Sequence, residues 1–233
     1  MRIWDIDAGF LNDKSLLGEH RELHGIVSII QNKKKGYSCH PETLRWPNHV
    51  ASLAVRHHLL VSEMQLRGFN HNSPVNVHVN NDIIWPEIFI NSPLEQYGLL
   101  AQKYADKPPG RIPLPKNTQE LWAFHKYSIM ARDPELYQQM GFKISKKLLL
   151  FEDLCDILIL QLRTPPSKGR LKNAIDHMWG YVADSSASDI KASDSGTRLK
   201  KIQILAFSNK VDYLIRSTAL GELMFWHTFI NTP

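Results

Sequence analysis

Two glutamates near the start of the chain are the residues whose type and spacing best suit acid–base chemistry. They lie in the segment LLGEHRELHGI, residues 16–26. If this segment forms a helix, Glu19 and Glu22 stand one turn apart on one ridge, next to Gly18 and Gly25. Glycine costs about 1 kcal/mol relative to alanine inside a helix. The two glycines therefore indicate either that a partner approaches this helix closely, or that the helix packs tightly and its acids are solvated.

This segment and two others resemble a known enzyme family. LLGEHRELHGI, the opening MRIW and the later LRGFN, residues 66–70, are similar in order and spacing to the pyrimidine-dimer DNA glycosylase family. The resemblance runs through the first half of the chain. It implies a mainly helical, endonuclease V-like arrangement of three helices with long loops. It also implies that the backbone amine of Met1 and the carboxylate of Glu22 are catalytic, and that Arg2 and Arg21 contact DNA.

The chemistry implied by the resemblance is attack by a backbone amine. An α-amine has a reference pKa of about 7.7–8.0, against about 10.4 for lysine, so more of it is neutral and nucleophilic at pH 7. Attack on the sugar C1′ expels the base and leaves an imine, and β-elimination then breaks the strand. A nearby carboxylate stabilises positive charge on the sugar and moves protons. The implied function is a DNA glycosylase with AP lyase activity on double-stranded DNA that carries a pyrimidine dimer, another damaged base or an abasic site, without a metal or other cofactor.

Three features depart from the family pattern. The family exposes a threonine as its first residue, but Arg2 is too large for ordinary methionine removal, so the attacking amine is expected on Met1. Gly25 stands where the family has another DNA-contacting arginine, and KPPGRIPLP, residues 107–115, replaces an aromatic segment near the lesion. Two alternatives therefore stay open: a non-catalytic nucleic-acid-binding protein of the same fold, or an enzyme acting on a different modified base, in DNA or in RNA.

Basic residues supply a candidate binding surface for a polyanion. The chain has a formal net charge of +5 and a pI near 9.1, which favours such a partner. Lys33, Lys34 and Lys35 follow the first predicted helix, where they can complement the helix C-terminus, contact phosphates, or do both. Arg45, next to Trp46 in a turn-rich loop, is expected either to contact DNA beside a wedged tryptophan or to hold the loop on its domain.

Composition predicts a cytoplasmic, nucleoid-associated protein. Cys39 and Cys155 lack metal-ligand spacing and are expected to be reduced thiols. The opening MRIWDIDAGF carries acids where a signal peptide needs an apolar core. The most apolar run, LLLFEDLCDILILQL, is interrupted by three acids and is too short to span a bilayer. The sequence thus predicts no membrane association, and it identifies no protein partner.

Hydrophobic spacing and capping signals predict an all-α chain of two helical domains, residues 1–115 and 116–233. The proline-rich segment KPPGRIPLP is the predicted linker.

In the first domain the pattern predicts helices over about residues 13–32, 47–68 and 93–107, with residues 70–91 as a long connection. His57 falls on the apolar stripe of the second of these helices. It is predicted to be a hydrogen-bonded core histidine rather than a ligand.

The second domain carries its own resemblance. FHKYSIMARDPELYQQMG and PSKGRLKNAIDHMWGYV are similar to an uncharacterised helical domain family found appended to thiouracil-desulfidase-like proteins. A helix break is predicted at Gly141, followed by an apolar helix over residues 146–163, and DSSASDIKASDSG, residues 184–196, is predicted to be a flexible loop. The polar members of the two motifs are expected either to line a nucleobase or phosphate pocket or to make caps and interhelical hydrogen bonds. These members are His125, Lys126, Tyr127, Arg170, Asn173 and His177.

Overall fold

A computed structural model describes residues 1–79, 83–183 and 194–231 of the chain. The described residues form helices and no strand, which confirms the all-α prediction. They belong to two compact units, Met1–Gly110 and Arg111–Pro233. The domain boundary predicted after residue 115 lies a few residues beyond this division.

The described part of the first unit contains four α-helices and two 3₁₀ turns. The α-helices are α1 (Asp13–Gln31), α2 (Pro41–Leu44), α3 (Val50–Leu66) and α4 (Pro93–Lys103), and the 3₁₀ turns are Ala8–Phe10 and Gly36–Cys39.

Helix α1 forms where the sequence predicts it. Its N-terminus is capped by the Asn12 side chain, which accepts a hydrogen bond from the Ser15 amide at 3.0 Å. Fully buried apolar residues at helical spacing, among them Leu16, Leu23 and Ile26, face the core, and α1 packs against α3.

The ends of α3 and α4 follow simple local rules. Gly68 has a φ of +83°, which glycine adopts without steric cost, and the Phe69 amide donates to the Met64 carbonyl at 2.9 Å to close α3. Helix α4 begins with the predicted capping box between Ser92 and Glu95. The start predicted for α3 near Pro47 is wrong, because a turn through His49 precedes the helix.

The segment between α3 and α4 has neither helix nor strand among its described residues, as expected for a long connection. Residues 80–82 of this connection lie outside the described part of the chain.

The second unit contains seven α-helices in its described residues. They are α5 (Thr118–Met130), α6 (Pro134–Ser145), α7 (Phe151–Leu162), α8 (Lys168–Trp179), α9 (Ser195–Ser208), α10 (Asp212–Ile215) and α11 (Ala219–Asn231). Within this unit α5 packs against α6, α7, α8 and α11 and so lies at the centre of the core.

Two predictions for the second unit need correction. Gly141 does not break the chain but lies inside α6, since helical hydrogen bonds tolerate a glycine at modest cost. Helix α6 instead ends at Ser145, and the chain turns away at Lys147, whose φ is +56°, where the Leu148 amide donates to the Lys143 carbonyl at 2.9 Å. The apolar helix α7 therefore starts at Phe151 rather than at residue 146. Most of the loop predicted over residues 184–196 lies outside the described residues.

Both cysteines are free thiols, Cys39 exposed and Cys155 buried. Among the described helices, none combines the length and apolarity that crossing a membrane would need.

Candidate active site

The N-terminal segment is fixed to α1 and α4 through its backbone amides. The Arg2 amide donates to Oε2 of Glu22 at 2.5 Å, and the Trp4 amide donates to Oε1 of Glu19 at 3.1 Å. The Asp5 amide donates to the Gln96 side chain on α4 at 2.8 Å. The start of the chain is thereby held against the helix that carries both glutamates. Glu22 accepts a hydrogen bond from the amide of residue 2, which directly follows the residue that carries the α-amine.

Glu19 and Glu22 have different environments. Glu19 is 2% exposed and makes a two-pronged ion pair with Arg56 of α3, at 2.7 Å to Nε and 2.8 Å to Nη2. The same guanidinium donates to the Ile6 carbonyl at 2.9 Å. Glu19 is therefore committed to holding α1, α3 and the N-terminal segment together, whereas the half-buried Glu22 is the carboxylate that can take part in chemistry.

Arg67 explains why the LRGFN motif matters to the site. Its guanidinium donates to the Leu11 carbonyl at 2.7 Å and to the Ala8 and Gly9 carbonyls at 3.3 and 3.2 Å. It also pairs with Glu63 one turn earlier on α3. Arg67 thus fixes the turn that connects the N-terminal segment to α1, which in turn sets where residues 1 and 2 lie.

The surface around Glu22 is open. A Cβ atom added at Gly18 or Gly25 would meet nothing within 4 Å, and Gly25 is exposed. The two glycines therefore do not serve tight packing inside the described chain. They leave a smooth face on α1 beside Glu22, where Arg21 is also exposed.

The lysine run forms a cationic cleft. Lys33, Lys34 and Lys35 are all exposed, and they line a cleft of about 330 Å³ together with the apolar end of α1. Lys34 donates to the Ser28 hydroxyl at 2.7 Å. The run is thus accessible to an anionic ligand at the C-terminal end of α1.

Two of the arginines predicted to contact DNA already have protein partners. The Arg45 side chain is only 3% exposed, pairs with Asp5 and Glu42, and lies over the Trp46 ring. Arg2 donates to the Asn91 side chain at 2.7 Å.

Trp46 itself is 1% exposed and donates to Glu42 at 3.1 Å. These contacts correspond to the loop-holding role rather than to a wedge.

Four histidines of the first unit form a cluster away from Glu22. His20 and His24 come from α1, His57 from α3 and His71 from the segment after α3, and one ring nitrogen from each lies within 4.8 Å of the others. Burial lowers the pKa of His57 to about 3 and that of His20 to about 4, so both rings are neutral at pH 7. His57 is a buried core residue, as predicted, and its Nε2 is hydrogen-bonded to Nε2 of His20 at 3.1 Å. Its buried Nδ1, however, has no partner among the described residues.

The polar residues singled out in the second unit do not meet in one pocket of the described chain. His125 is buried and bonds to the Leu121 carbonyl at 2.8 Å, and Arg170 donates to the Arg132 carbonyl at 2.5 Å. Asn173 and His177 are exposed. The bond of His125 lies within α5, whereas Arg170 of α8 reaches a carbonyl that follows α5 and so makes a contact between elements, in line with the second of the two expectations.

Comparison with known proteins finds a similarity in the first unit. Residues 1–77 match the pyrimidine dimer DNA glycosylase family. The matched glycosylase segment contains the N-terminal segment, α1, α3 and Arg67, which are the elements that position Glu22. No curated protein and no solved structure matches the chain at a significant level.

Sequence reasoning predicted a catalytic role for Glu22, which stays a prediction, but it missed the residues that hold the N-terminal segment in place. Arg56 lies in α3 and Arg67 directly follows it, and nothing in their spacing shows that they reach the N-terminal segment. The histidine cluster did carry a signal, because His20 and His24 are four residues apart on one helix face. The other two histidines come from separate elements, so only the folded chain brings all four together.

Proposed function

We propose that the first unit is a DNA glycosylase with AP lyase activity that acts on pyrimidine dimers or another damaged base. The observation that carries the proposal is the 2.5 Å hydrogen bond from the Arg2 amide to Glu22, which holds the chain start beside a half-buried carboxylate. The match of residues 1–77 to the glycosylase family supports it.

In the proposed reaction the α-amine of Met1 attacks C1′ of the damaged nucleotide. The C1′–N bond breaks and its electron pair leaves with the base. The C1′–O4′ bond of the sugar then breaks, O4′ takes up the proton that the amine loses, and a protonated imine forms between Met1 and C1′ of the opened sugar. Removal of a proton from C2′ then expels the 3′-phosphate and breaks the strand. Glu22 stabilises the cationic sugar and accepts the C2′ proton, which suits a carboxylate partly shielded from water.

DNA binding is assigned to cations that the fold leaves accessible. Arg21 stands beside Glu22, and Lys33, Lys34 and Lys35 extend the cationic surface to the end of α1. Arg2 and Arg45 are proposed to act less directly, because their side-chain contacts to Asn91 and Asp5 hold the N-terminal segment in place.

Borohydride trapping on an abasic-site duplex, in EDTA, tests the proposal. Wild-type protein should give a covalent adduct, and peptide mapping should find that adduct on residue 1. An uncleaved N-terminal extension should abolish trapping, because the displaced amine no longer lies beside Glu22, while the same extension at the C-terminus should not. An adduct on an internal lysine would refute the assignment of Met1.

Substitution of the carboxylate separates catalysis from binding. Glu22→Gln should keep DNA affinity and slow release of the damaged base from ultraviolet-irradiated duplex by about 100-fold or more, because it removes a charge that matters chiefly in the transition state. Asp106→Asn, on an exposed carboxylate of the same unit, is the matched control and should leave the rate unchanged. Binding without cleavage by the wild type, on both irradiated and abasic DNA, would instead favour a non-catalytic DNA-binding protein.

A further inference from the structure

The histidine cluster ties three parts of the first unit together. His20 and His24 lie one turn apart on α1, His57 lies on α3, and His71 lies three residues after the glycine that ends α3. The ring centroid of His20 lies 4.7 Å from that of His24, 4.9 Å from that of His57 and 5.1 Å from that of His71. One histidine therefore contacts all three others, which is the arrangement of a common centre rather than of a row.

The nitrogen spacing matches a metal site. Nε2 of His20 and Nε2 of His57 are 3.1 Å apart, and one nitrogen from each of the four rings lies within 4.8 Å of the rest. Zinc–imidazole bonds of about 2.0–2.1 Å in a tetrahedron place the ligand nitrogens about 3.3 Å apart. Small rotations of the side chains would bring all four nitrogens to that separation.

The described part of the protein does not supply a hydrogen-bond partner for every ring nitrogen of the cluster. Nδ1 of His57 and Nε2 of His24 are buried without a hydrogen-bond partner in the described part of the chain. Each buried unpaired polar atom costs about 1–3 kcal/mol. An ion takes one nitrogen from each ring, so with Nε2 of His57 facing His20, the unpaired Nε2 of His24 is the atom that points to a missing ligand. Nε2 of His71, in contrast, lies 2.8 Å from the Ser73 carbonyl. A hydrogen bond of this kind fixes the orientation of a metal-binding imidazole and leaves its other nitrogen free for the metal.

We propose that His20, His24, His57 and His71 bind one divalent transition-metal ion, with Zn²⁺ as the best-fitting ion. Imidazole ligands suit Zn²⁺, and four protein ligands in a tetrahedron leave no open position for substrate. The site is therefore structural. It fastens the start of the long connection after α3 onto α1, on a different face of α1 from Glu22.

Metal binding by the tag-free full-length chain tests this proposal directly. Protein stripped with a chelator and then dialysed should bind one Zn²⁺ per chain in competition with a chromophoric chelator. Co²⁺ in its place should give the intense visible bands of tetrahedral coordination, and X-ray absorption at the zinc edge should show four nitrogen ligands at about 2.0–2.1 Å. Absence of a stoichiometric site, or six-coordinate ligation, would overturn the proposal.

Matched histidine variants locate the site. His71→Ala and His24→Ala should weaken Zn²⁺ binding by about 100-fold or more, whereas His78→Ala, an exposed histidine of the same connection, should not change it. Circular dichroism confirms that each variant is folded. Equal affinity in His71→Ala and His78→Ala would show that the zinc binds elsewhere.

Two further readouts separate a structural ion from a catalytic one. Zn²⁺ should raise the thermal midpoint of the stripped wild type and not that of His71→Ala, because a ligand that binds the native state stabilises it. Borohydride trapping should give the same adduct yield before and after stripping. Loss of trapping on stripping, restored by Zn²⁺, would overturn the structural assignment while leaving the glycosylase proposal intact.

Discussion

Glu19 and Glu22 show how one helix turn separates a structural carboxylate from one that can react. Glu19 has its oxygens taken by Arg56 and by the Trp4 amide, in a site that excludes water. Glu22 receives one backbone amide and remains partly exposed on a face lined by glycine. The difference in partners, rather than in spacing, is what leaves Glu22 and not Glu19 available for the proposed reaction.

The same substitution at both positions should therefore have unequal effects on stability. Glu19→Gln leaves the buried Arg56 guanidinium without its counter-charge and should lower the free energy of unfolding by about 3–5 kcal/mol. Glu22→Gln keeps an oxygen for the Arg2 amide at a half-buried site and should cost less than about 1 kcal/mol. Urea denaturation of the two variants measures the difference. Equal losses would contradict the division of roles between the two carboxylates.

The sequence predicts a role for Glu22, but it does not predict the residues that hold the segment around Glu22 in place. The motif that contains Glu22 is continuous in the chain, so a resemblance over a few residues was enough to single it out. Arg56 is 37 residues away from Glu19, and Arg67 reaches carbonyls more than 50 residues earlier. Contacts over such separations depend on how α1 and α3 cross, which no local pattern specifies.

At the scale of the elements, α1 carries most of the proposed function. Its buried ridge faces α3, its glycine face surrounds Glu22, and its C-terminal end carries the lysine run. The helix ends that were predicted well depend on local chemistry, as with the Asn12 cap and the left-handed Gly68. The ends predicted poorly, such as the start of α7, depend on a lysine with positive φ, for which residue type gives little warning.

The glycine face of α1 gives a prediction that distinguishes helix stability from DNA approach. Gly25→Leu places a side chain in open space and should stabilise the helix by about 0.5–1 kcal/mol, since leucine is the better helix former. It should also weaken binding to abasic-site duplex by at least about 10-fold, because the new side chain stands one turn from Glu22. Gly98→Leu, on an equally open and exposed position of α4, is the control and should leave DNA affinity unchanged. Equal affinity of the two variants, measured by fluorescence anisotropy, would place the DNA elsewhere.

At the scale of the whole molecule, a net charge of +5 attracts DNA without saying where it binds. The second unit also displays exposed lysines, for example Lys143, Lys146 and Lys147 near the end of α6. If the attraction is general, every exposed lysine should contribute equally to DNA binding. If DNA binds around α1, the lysines of the first unit should contribute more than those of the second.

Two triple variants with the same change in net charge test which description holds. Each phosphate neutralised contributes about −0.9 to the slope of log affinity against log salt on duplex DNA. Replacing Lys33, Lys34 and Lys35 with glutamine should therefore flatten the slope by up to about 2.7, if all three contact phosphates. Replacing Lys143, Lys146 and Lys147 with glutamine removes the same charge and should leave the slope nearly unchanged. Each set contains one residue with positive φ, Lys33 or Lys147, so backbone strain is matched as well. Equal flattening by both sets would assign DNA attraction to net charge, and an unchanged slope in the first set would reduce the run at the end of α1 to helix capping.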